Sequence, residues 1–219
     1  LLVINGDVNF NDSRVVINAL EPLAGDTHYV LMTYTGTLTG TNILVTTGEG
    51  RKAYALDYST AGEVRLNVTG ASPTLVWNSE VDNIWDEATA NWTNAAGAVQ
   101  EAFVEGDLVE FTDLGAATNN VALSGSLAPG RVTVNSTSNY TFSGAGKVTG
   151  FTEILKTGTG TLTLNTTNDF TGGLNVQGGV VNGIAEGHGG DGAVVTTQDG
   201  GAFDLAGVNR SANRMDVVL

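Results

Sequence analysis

Short apolar and threonine-rich runs, separated by glycine-containing breaks, fill the segment 153–181. The runs are Ile154-Leu155, Thr161–Leu164, Leu174–Val176 and Val180-Val181. The β-branched residues Thr and Val suit a pleated backbone, and Gly allows the turns between strands. No run is long enough for a helix, and none alternates long enough for a wide flat sheet. The pattern therefore predicts many short strands in a chain that winds.

Apolar runs of this kind recur at a nearly constant interval of roughly 20 residues, which lies in the range of solenoid repeats. Six positions in or beside such runs mark the interval: Phe111, Val134, Leu155, Val176, Thr197 and Val218. In a solenoid each coil buries its apolar face against its neighbours. We therefore predict an all-β fold with a parallel β-helix over 108–219 and rungs about 4.8 Å apart. The side chains expected to point inward are Leu155, Leu162, Leu164, Leu174 and Val176.

Three motifs within 156–181 resemble a known repeat family. They are 156–164 (KTGTGTLTL), 168–173 (NDFTGG) and 177–181 (QGGVV). They are similar to the Gly-Thr-Leu-Thr-Leu strand, the Asn-x-aromatic-Thr-Gly-Gly corner and the Gly-Gly-x-Leu-like strand of the autotransporter-associated β-strand repeat, also called the passenger-associated transport repeat. Val180 and Val181 stand where the family usually has Thr and Leu. The resemblance implies a right-handed parallel β-helix in a large secreted or surface-displayed bacterial protein, and it does not imply an enzyme.

The first third of the chain, 1–71, also contains strand patterns. A β-hairpin is predicted from 54–58 (YALDY) and 64–68 (VRLNV), because both alternate strictly and 59–62 (STAG) supplies a turn. In addition, 29–36 (YVLMTYTG) resembles the close of passenger units in the same family. We expect this segment to be the end of a β-helical unit with a hairpin.

Gly70-Ala71-Ser72-Pro73 marks the predicted end of that segment, since Pro restricts its own φ and biases the preceding residue toward an extended form. All three tryptophans, Trp77, Trp85 and Trp92, follow within a short distance and resemble the Trp-rich lead-in of a unit of this family. The predicted domains are 1–71, the end of a β-helical unit; 72–107, a Trp-rich junction or cap; and 108–219, the parallel β-helix.

Composition narrows the possible partners. The chain has 219 residues, 30 Gly and no Cys, so disulfides and thiolate metal sites are excluded. The formal charge of −14 argues against nucleic acid as a partner, because phosphates are bound by Lys and Arg. No apolar run approaches the roughly 20 residues of a membrane-spanning helix. The chain starts at Leu1 without Met or a signal-peptide pattern, and we expect it to be a mature protein or a fragment.

Two groups of side chains are candidates for metal or catalytic chemistry. The stretch 7–12 (DVNFND) alternates like a calcium loop, but Asp12 stands where Gly is needed and Asn18 where Glu is needed. Asp82, Asp86 and Glu87 beside the Trp cluster could bind a cation or form a carboxylate pair for glycoside chemistry. The two histidines, His28 and His188, show no ligand spacing and no nucleophile–base pairing. We assign no catalytic, cofactor-binding or metal residue.

The Trp residues have two possible roles. Trp85 and Trp92 could stack on sugar rings, or all three could cap the open end of a solenoid core with the acids solvated around them. The cap is favoured, because a bare solenoid end exposes apolar surface and strand edges.

The leading functional hypothesis is a structural module of a bacterial extracellular or surface protein: a stalk, an adhesin passenger or a filament. Glycan binding by the Trp region is an alternative. A β-helical polysaccharide lyase or hydrolase is a weaker one, because acids are sparse at matching positions of successive rungs. We expect no enzymatic activity. The terminal segments, Leu1 to Ile4 and 215–219 (MDVVL), are apolar, which leads us to expect head-to-tail stacking with adjacent copies or modules of the same protein.

Overall fold

Short strands make up almost all of the regular structure. The computed structural model describes residues 1–11, 13–17, 23–41, 43–46, 50–94, 99–183, 194–204 and 216–218. Over these ranges the chain forms strands and one 3-10 helix, Asp113–Thr118, which confirms the predicted all-β class. None of the described helical structure is long and apolar enough to cross a membrane. The chain divides into two compact units, Leu1–Ser72 and Pro73–Leu219.

The first unit contains eight strands among its described residues. They are β1 (Leu2–Ile4), β2 (Val8–Phe10), β3 (Arg14–Ile17), β4 (Thr27–Tyr34), β5 (Leu38–Gly40), β6 (Ile43–Thr46), β7 (Ala53–Asp57) and β8 (Glu63–Thr69). Three parallel pairs, β1–β4, β2–β5 and β3–β6, stack one coil on the next. Leu2 pairs with Met32 and Val8 with Leu38, so these two pairs are offset by the same length of chain.

An antiparallel hairpin follows these two coils. β7 pairs with β8, with Tyr54 opposite Val68 and Leu56 opposite Leu66, which confirms the predicted hairpin. β8 also pairs antiparallel with β4, so the sheet order is β1-β4-β8-β7. The alternating side chains Val64, Leu66 and Val68 of β8 are buried and form the core of the unit with Val8. The parallel stacking therefore changes to antiparallel pairing at β8.

The second unit contains the longer solenoid. Its strands are β9 (Thr74–Trp77), β10 (Ile84–Trp85), β11 (Trp92–Asn94), β12 (Gln100–Glu101), β13 (Leu108–Thr112), β14 (Asn120–Leu123), β15 (Ser126–Leu127), β16 (Arg131–Asn135), β17 (Tyr140–Gly144), β18 (Lys147–Val148), β19 (Glu153–Lys156), β20 (Thr161–Leu164), β21 (Leu174–Val176), β22 (Gly179–Gly183), β23 (Val194–Thr197), β24 (Gly201–Asp204) and β25 (Asp216–Val218). They form a parallel β-solenoid, as predicted.

Two parallel ladders carry this solenoid. The long ladder has the order β12-β11-β9-β13-β16-β19-β21-β23-β25 and is parallel from β9 onward. Its register places one buried residue from each of five successive coils in a single column: Val109, Val132, Ile154, Leu174 and Val195. Neighbours in this column are separated by roughly 20 positions in sequence, in agreement with the predicted period. Each side chain of the column is covered by its counterparts one coil before and one coil after.

The second ladder has the order β10-β14-β17-β20-β22-β24. Its interior columns are Val121, Phe142 and Leu164, and Tyr140, Leu162, Val181 and Phe203. At a corner between the ladders, β15 pairs with β18 and brings together the buried residues Leu127 and Val148. Leu162, Leu164, Leu174 and Val176 are buried, as predicted.

The predicted inward direction of Leu155 is wrong. β19 places Ile154 and Lys156 in the interior, and Leu155, which pairs with Thr133, is only half-buried. The physical reason is that Ile154 and Leu155 are adjacent and both apolar, so the local pattern fits either phase of the strand. The parallel register with Val132 and Val134 decides which of the two is enclosed.

We expect Ile154→Ala to lower the free energy of unfolding by about 2–5 kcal/mol, because it leaves a cavity in a fully buried column. In the matched variant Leu155→Ala the free energy of unfolding should fall by less than about 1 kcal/mol. Leu155 is only half-buried, so its truncation leaves no enclosed cavity. Urea unfolding followed by circular dichroism measures both. Equal losses in the two variants would contradict the observed strand phase.

Candidate functional site

An aromatic cluster fills the interior at the first coil of the second unit. Trp77, Trp85 and Trp92 are fully buried. The ring centroids of Trp77 and Trp92 are 5.0 Å apart at an interplanar angle of 74°, and those of Trp85 and Trp92 are 5.3 Å apart at 71°. Phe103 meets Trp85 edge-on, and Phe111 contacts all three indoles. These edge-on contacts place the positive edge of one ring against the face of another, which is the favourable aromatic geometry.

The backbone around the cluster ends the parallel ladder. β9 is parallel to β13, but β11 is antiparallel to β9 and places Trp92 directly opposite Trp77. β12 then pairs antiparallel with β11 through two residues. An antiparallel turn-back with a short edge strand blocks further parallel addition to this side of the sheet. This pairing lies in the segment for which the sequence predicts a Trp-rich junction or cap.

The burial of the indoles argues against their stacking on a sugar ring, which needs an exposed aromatic face. Trp77 also donates a hydrogen bond through Nε1 to the carbonyl oxygen of Thr118, at 3.1 Å. Nε1 of Trp85 and of Trp92 has no hydrogen-bond partner in the described part of the chain, and both indoles make edge contacts with neighbouring rings. The cluster is therefore built as a packed core.

The acids beside the cluster hold the loop 78–91 in shape. Asp82 Oδ1 accepts from the backbone N of Ile84 at 2.8 Å and from Asn91 Nδ2 at 2.6 Å. Asn91 is fully buried, and its Oδ1 accepts from the backbone N of Val81 and of Asp82. These carboxylate and amide oxygens are occupied within the loop itself. Among the residues that the structure describes, no group of three or more His, Asp or Glu side chains could hold a metal ion.

Asp86 and Glu87 have different surroundings. Desolvation acts to raise the pKa of Asp86, but hydrogen bonds from the backbone of Thr89 and Ala88 outweigh it, and the pKa lies below the ordinary value. Glu87 instead interacts with Glu105: burial raises the pKa of Glu105, and the negative charge of Glu87 raises it further. Sequence reasoning missed Glu105, because it lies far from Glu87 along the chain.

The calcium-like stretch is also used structurally. Asp7 Oδ1 accepts from Thr37 N at 2.7 Å and from Thr37 Oγ1 at 2.9 Å, so it links two coils of the first unit, and these bonds lower the pKa of Asp7. Val8 is buried in β2. Asp12, Asn18 and His188 lie outside the described residues, and His28 is exposed in β4.

A polar corner beside the aromatic cluster was not foreseen. Asp113 Oδ1 accepts hydrogen bonds from Ser136 Oγ at 2.5 Å, from Thr137 N at 2.9 Å and from Ser138 N at 3.2 Å, all in the next coil. The bonds from Ser136 and Ser138 lower the pKa of Asp113 most. Tyr140 donates its hydroxyl to the carbonyl oxygen of Thr112 at 2.6 Å, and burial raises the pKa of Tyr140 to about 12, with a contribution from the charge of Asp113.

An open groove of about 460 Å³ lies at another corner of the solenoid, lined by 144–147, 165–167 and Asp169. Lys147 and Asp169 form an ion pair at 2.5 Å on its wall, and both side chains remain partly exposed. The buried Asn168 forms hydrogen bonds beside the groove. Its Oδ1 accepts from Val148 N at 2.8 Å and from Thr166 Oγ1 at 3.0 Å. The groove is held by hydrogen bonds, and its lining contains no aromatic ring.

Comparison with known proteins identifies one segment. Residues 154–182 match the model of the passenger-associated-transport-repeat family. This match confirms the resemblance predicted from the motifs of 156–181. No curated protein and no solved structure gives a significant match.

We expect Asp113→Asn to lower the thermal unfolding midpoint at pH 7, because an amide oxygen accepts these hydrogen bonds more weakly than a carboxylate. The folded pKa of Asp113 lies below its ordinary value of 3.8, so the carboxylate stabilises the fold above that pH, and the stabilisation is lost as the pH falls through the folded pKa. The difference from the wild type should therefore shrink in acid.

Thermal melts at pH 7 and at successively lower pH values measure this difference. Glu80→Gln is the control, because it removes one exposed charge with little change in packing. A pH-independent difference between Asp113→Asn and the wild type would show that the charge of Asp113 is irrelevant to the corner.

Proposed function

We propose that this chain is a structural module of a bacterial extracellular or surface protein, similar to the β-helical passenger of an autotransporter. The repeat match over 154–182 and the parallel β-solenoid together support this role. The observation that carries the proposal is the continuous register of the long ladder. In this ladder the strands β9, β13, β16, β19, β21, β23 and β25 each pair in parallel with the next. Such a ladder makes a rigid rod whose coils advance by about 4.8 Å each.

The proposal assigns the module no catalytic activity. The strongest support comes from Asp82 and Asp86. The Oδ1 atom of each accepts a hydrogen bond from a backbone N–H group of its own loop, so both carboxylates have a structural role. The proposal does not include glycan binding through Trp85 and Trp92, because both indoles are enclosed by other rings. The module would act by presenting or spacing other parts of the protein.

The surface location can be tested in the bacterium that encodes the chain, with antibodies raised against the purified module. We expect the antibodies to label intact cells and external protease to remove the label. A periplasmic marker that stays protected serves as the control for cell integrity. Labelling that requires lysis of the cells would contradict the surface location.

The proposal includes stacking between copies through the coil faces. In the first unit, Leu2 and Val3 of β1 are 53% and 63% exposed, and Val16 of β3 is 59% exposed, which gives the outer face of this coil an apolar character. β1 pairs with β4 alone among the described strands. An apolar coil face beside an open strand edge suits the addition of another coil. Of the other predicted contact, 215–219, the structure describes β25 (Asp216–Val218), which pairs in parallel with β23 at the end of the long ladder.

We expect the purified chain to self-associate with increasing concentration and Leu2→Glu/Val3→Glu to reduce this association, because buried carboxylates would be desolvated at the contact. Sedimentation velocity over a concentration series measures both proteins. Val81→Glu, at an exposed apolar position of the second unit, is the control for an added carboxylate. Association that is unchanged in the double variant, or a monomer at all concentrations, would contradict stacking through β1.

A further inference from the structure

Lys156 is the one fully buried cationic side chain among the described residues. It occupies a column of the long ladder between Val134 in the preceding coil and Val176 in the following one. The neighbours above and below are apolar, so hydrophobic packing alone would favour a Val, Leu or Met at this position. A buried ammonium group carries a desolvation penalty and is retained only where its hydrogen bonds are satisfied.

The ammonium group of Lys156 is satisfied by backbone carbonyls. It donates to the carbonyl oxygen of Gly158, in its own coil, and to that of Gly178 in the next coil, the latter at 3.1 Å. No carboxylate pairs with it in the part of the chain that the structure describes. Burial lowers the pKa of Lys156. The ammonium thus lies in a small site made of carbonyl oxygens from two successive coils.

The backbone of Lys156 contacts the same corner of the next coil as its side chain does. The carbonyl oxygen of Lys156 accepts from Gln177 N at 2.8 Å and from Gly178 N at 3.3 Å. Gly179, with a φ of +66°, leaves the space that the ammonium uses: an added Cβ there would lie 2.6 Å from Gly158 O and 2.8 Å from Lys156 Nζ. A side chain at position 179 would therefore collide with the site as well as strain the backbone.

The contacts of Lys156 span one coil of the repeat. Gly158 lies just after β19, and Gly178 lies just after β21, one coil later, and both are within the matched segment 154–182. The carbonyl oxygens of Gly158 and Gly178 both point at the ammonium group of Lys156. Without a donor between them, the two carbonyl dipoles would repel each other or lack a hydrogen bond. The ammonium removes this conflict only when the two coils are in the observed register.

We propose that the carbonyls of Gly158 and Gly178 form an internal binding site for an ammonium cation, which Lys156 supplies from its own side chain. Occupation of this site fixes the register of the coil that starts at β19 against the coil that starts at β21. Lys156 is thus a positioning residue of the repeat, and its charge and N–H donors matter in addition to its aliphatic volume.

The test uses the whole chain with Lys156→Met and Lys156→Ala. Lys156→Met keeps most of the aliphatic volume and removes the donors. We expect it to lower the urea midpoint and to accelerate hydrogen exchange at the amides of Gln177 and Gly178, while amides between β13 and β16 keep their protection. The surface variant Lys147→Met, which also removes one lysine, should leave the amides of Gln177 and Gly178 protected.

Lys156→Ala opens space for an external cation. We expect propylammonium chloride to raise the melting temperature of Lys156→Ala more than that of the wild type or of Lys147→Met. Tetramethylammonium chloride at equal concentration, which has no N–H donor, should give no such selective rise. If Lys156→Ala fails to fold without the amine, recovery of folding with propylammonium and not with tetramethylammonium supports the site equally.

Two results would overturn the proposal. One is a Lys156→Met variant with the wild-type urea midpoint and wild-type amide protection at Gln177 and Gly178, which would reduce Lys156 to a space-filling side chain. The other is the absence of any selective effect of propylammonium on Lys156→Ala, whether that variant folds or not, which would show that the carbonyls do not form a site for an ammonium cation.

Discussion

Parallel stacking of coils in register is the constraint on which the second unit depends. A side chain in the interior has neighbours in its own coil and in the coils before and after it, and no other layer can cover it. The column of Val109, Val132 and Ile154 shows the result, since each member is enclosed by the next. The same constraint requires an end where the stacking stops, and the antiparallel pairing of β11 with β9, over the buried Trp cluster, provides that end.

Polar side chains supplement the ladders where the coil turns. Asp113 binds the backbone of 137 and 138 one coil later, Asn168 binds the backbone of Val148 one coil earlier, and Lys156 binds the carbonyl of Gly178. In each case a side chain forms a hydrogen bond with a backbone group of the neighbouring coil. These bonds link neighbouring coils at the corners in addition to the backbone hydrogen bonds of the ladders.

Much of the architecture could be predicted from the sequence, because the solenoid period repeats along the chain and the hairpin of β7 and β8 alternates strictly. The phase of β19 could not, since Ile154 and Leu155 are equally apolar and the register with β16 decides between them. The corner of Asp113 and the site of Lys156 were missed for a related reason. Their partners lie about one coil away in sequence, and no local pattern marks which polar residue will meet which backbone group.

The Trp cap could be predicted, because three large rings crowded into one coil must be buried together. The coil length of the first unit could not be predicted, because a unit of two paired coils contains only one repeat interval.

The regular column spacing has a consequence for how such a rod can change over evolutionary time. Loss or duplication of one whole coil leaves every remaining column intact and alters the rod by a single step of about 4.8 Å. Loss of a single strand residue instead shifts the alternation and turns enclosed side chains outward. Viable length variants of this molecule therefore form a discrete series, and the gene segment that encodes one whole coil is the natural unit of gain and loss.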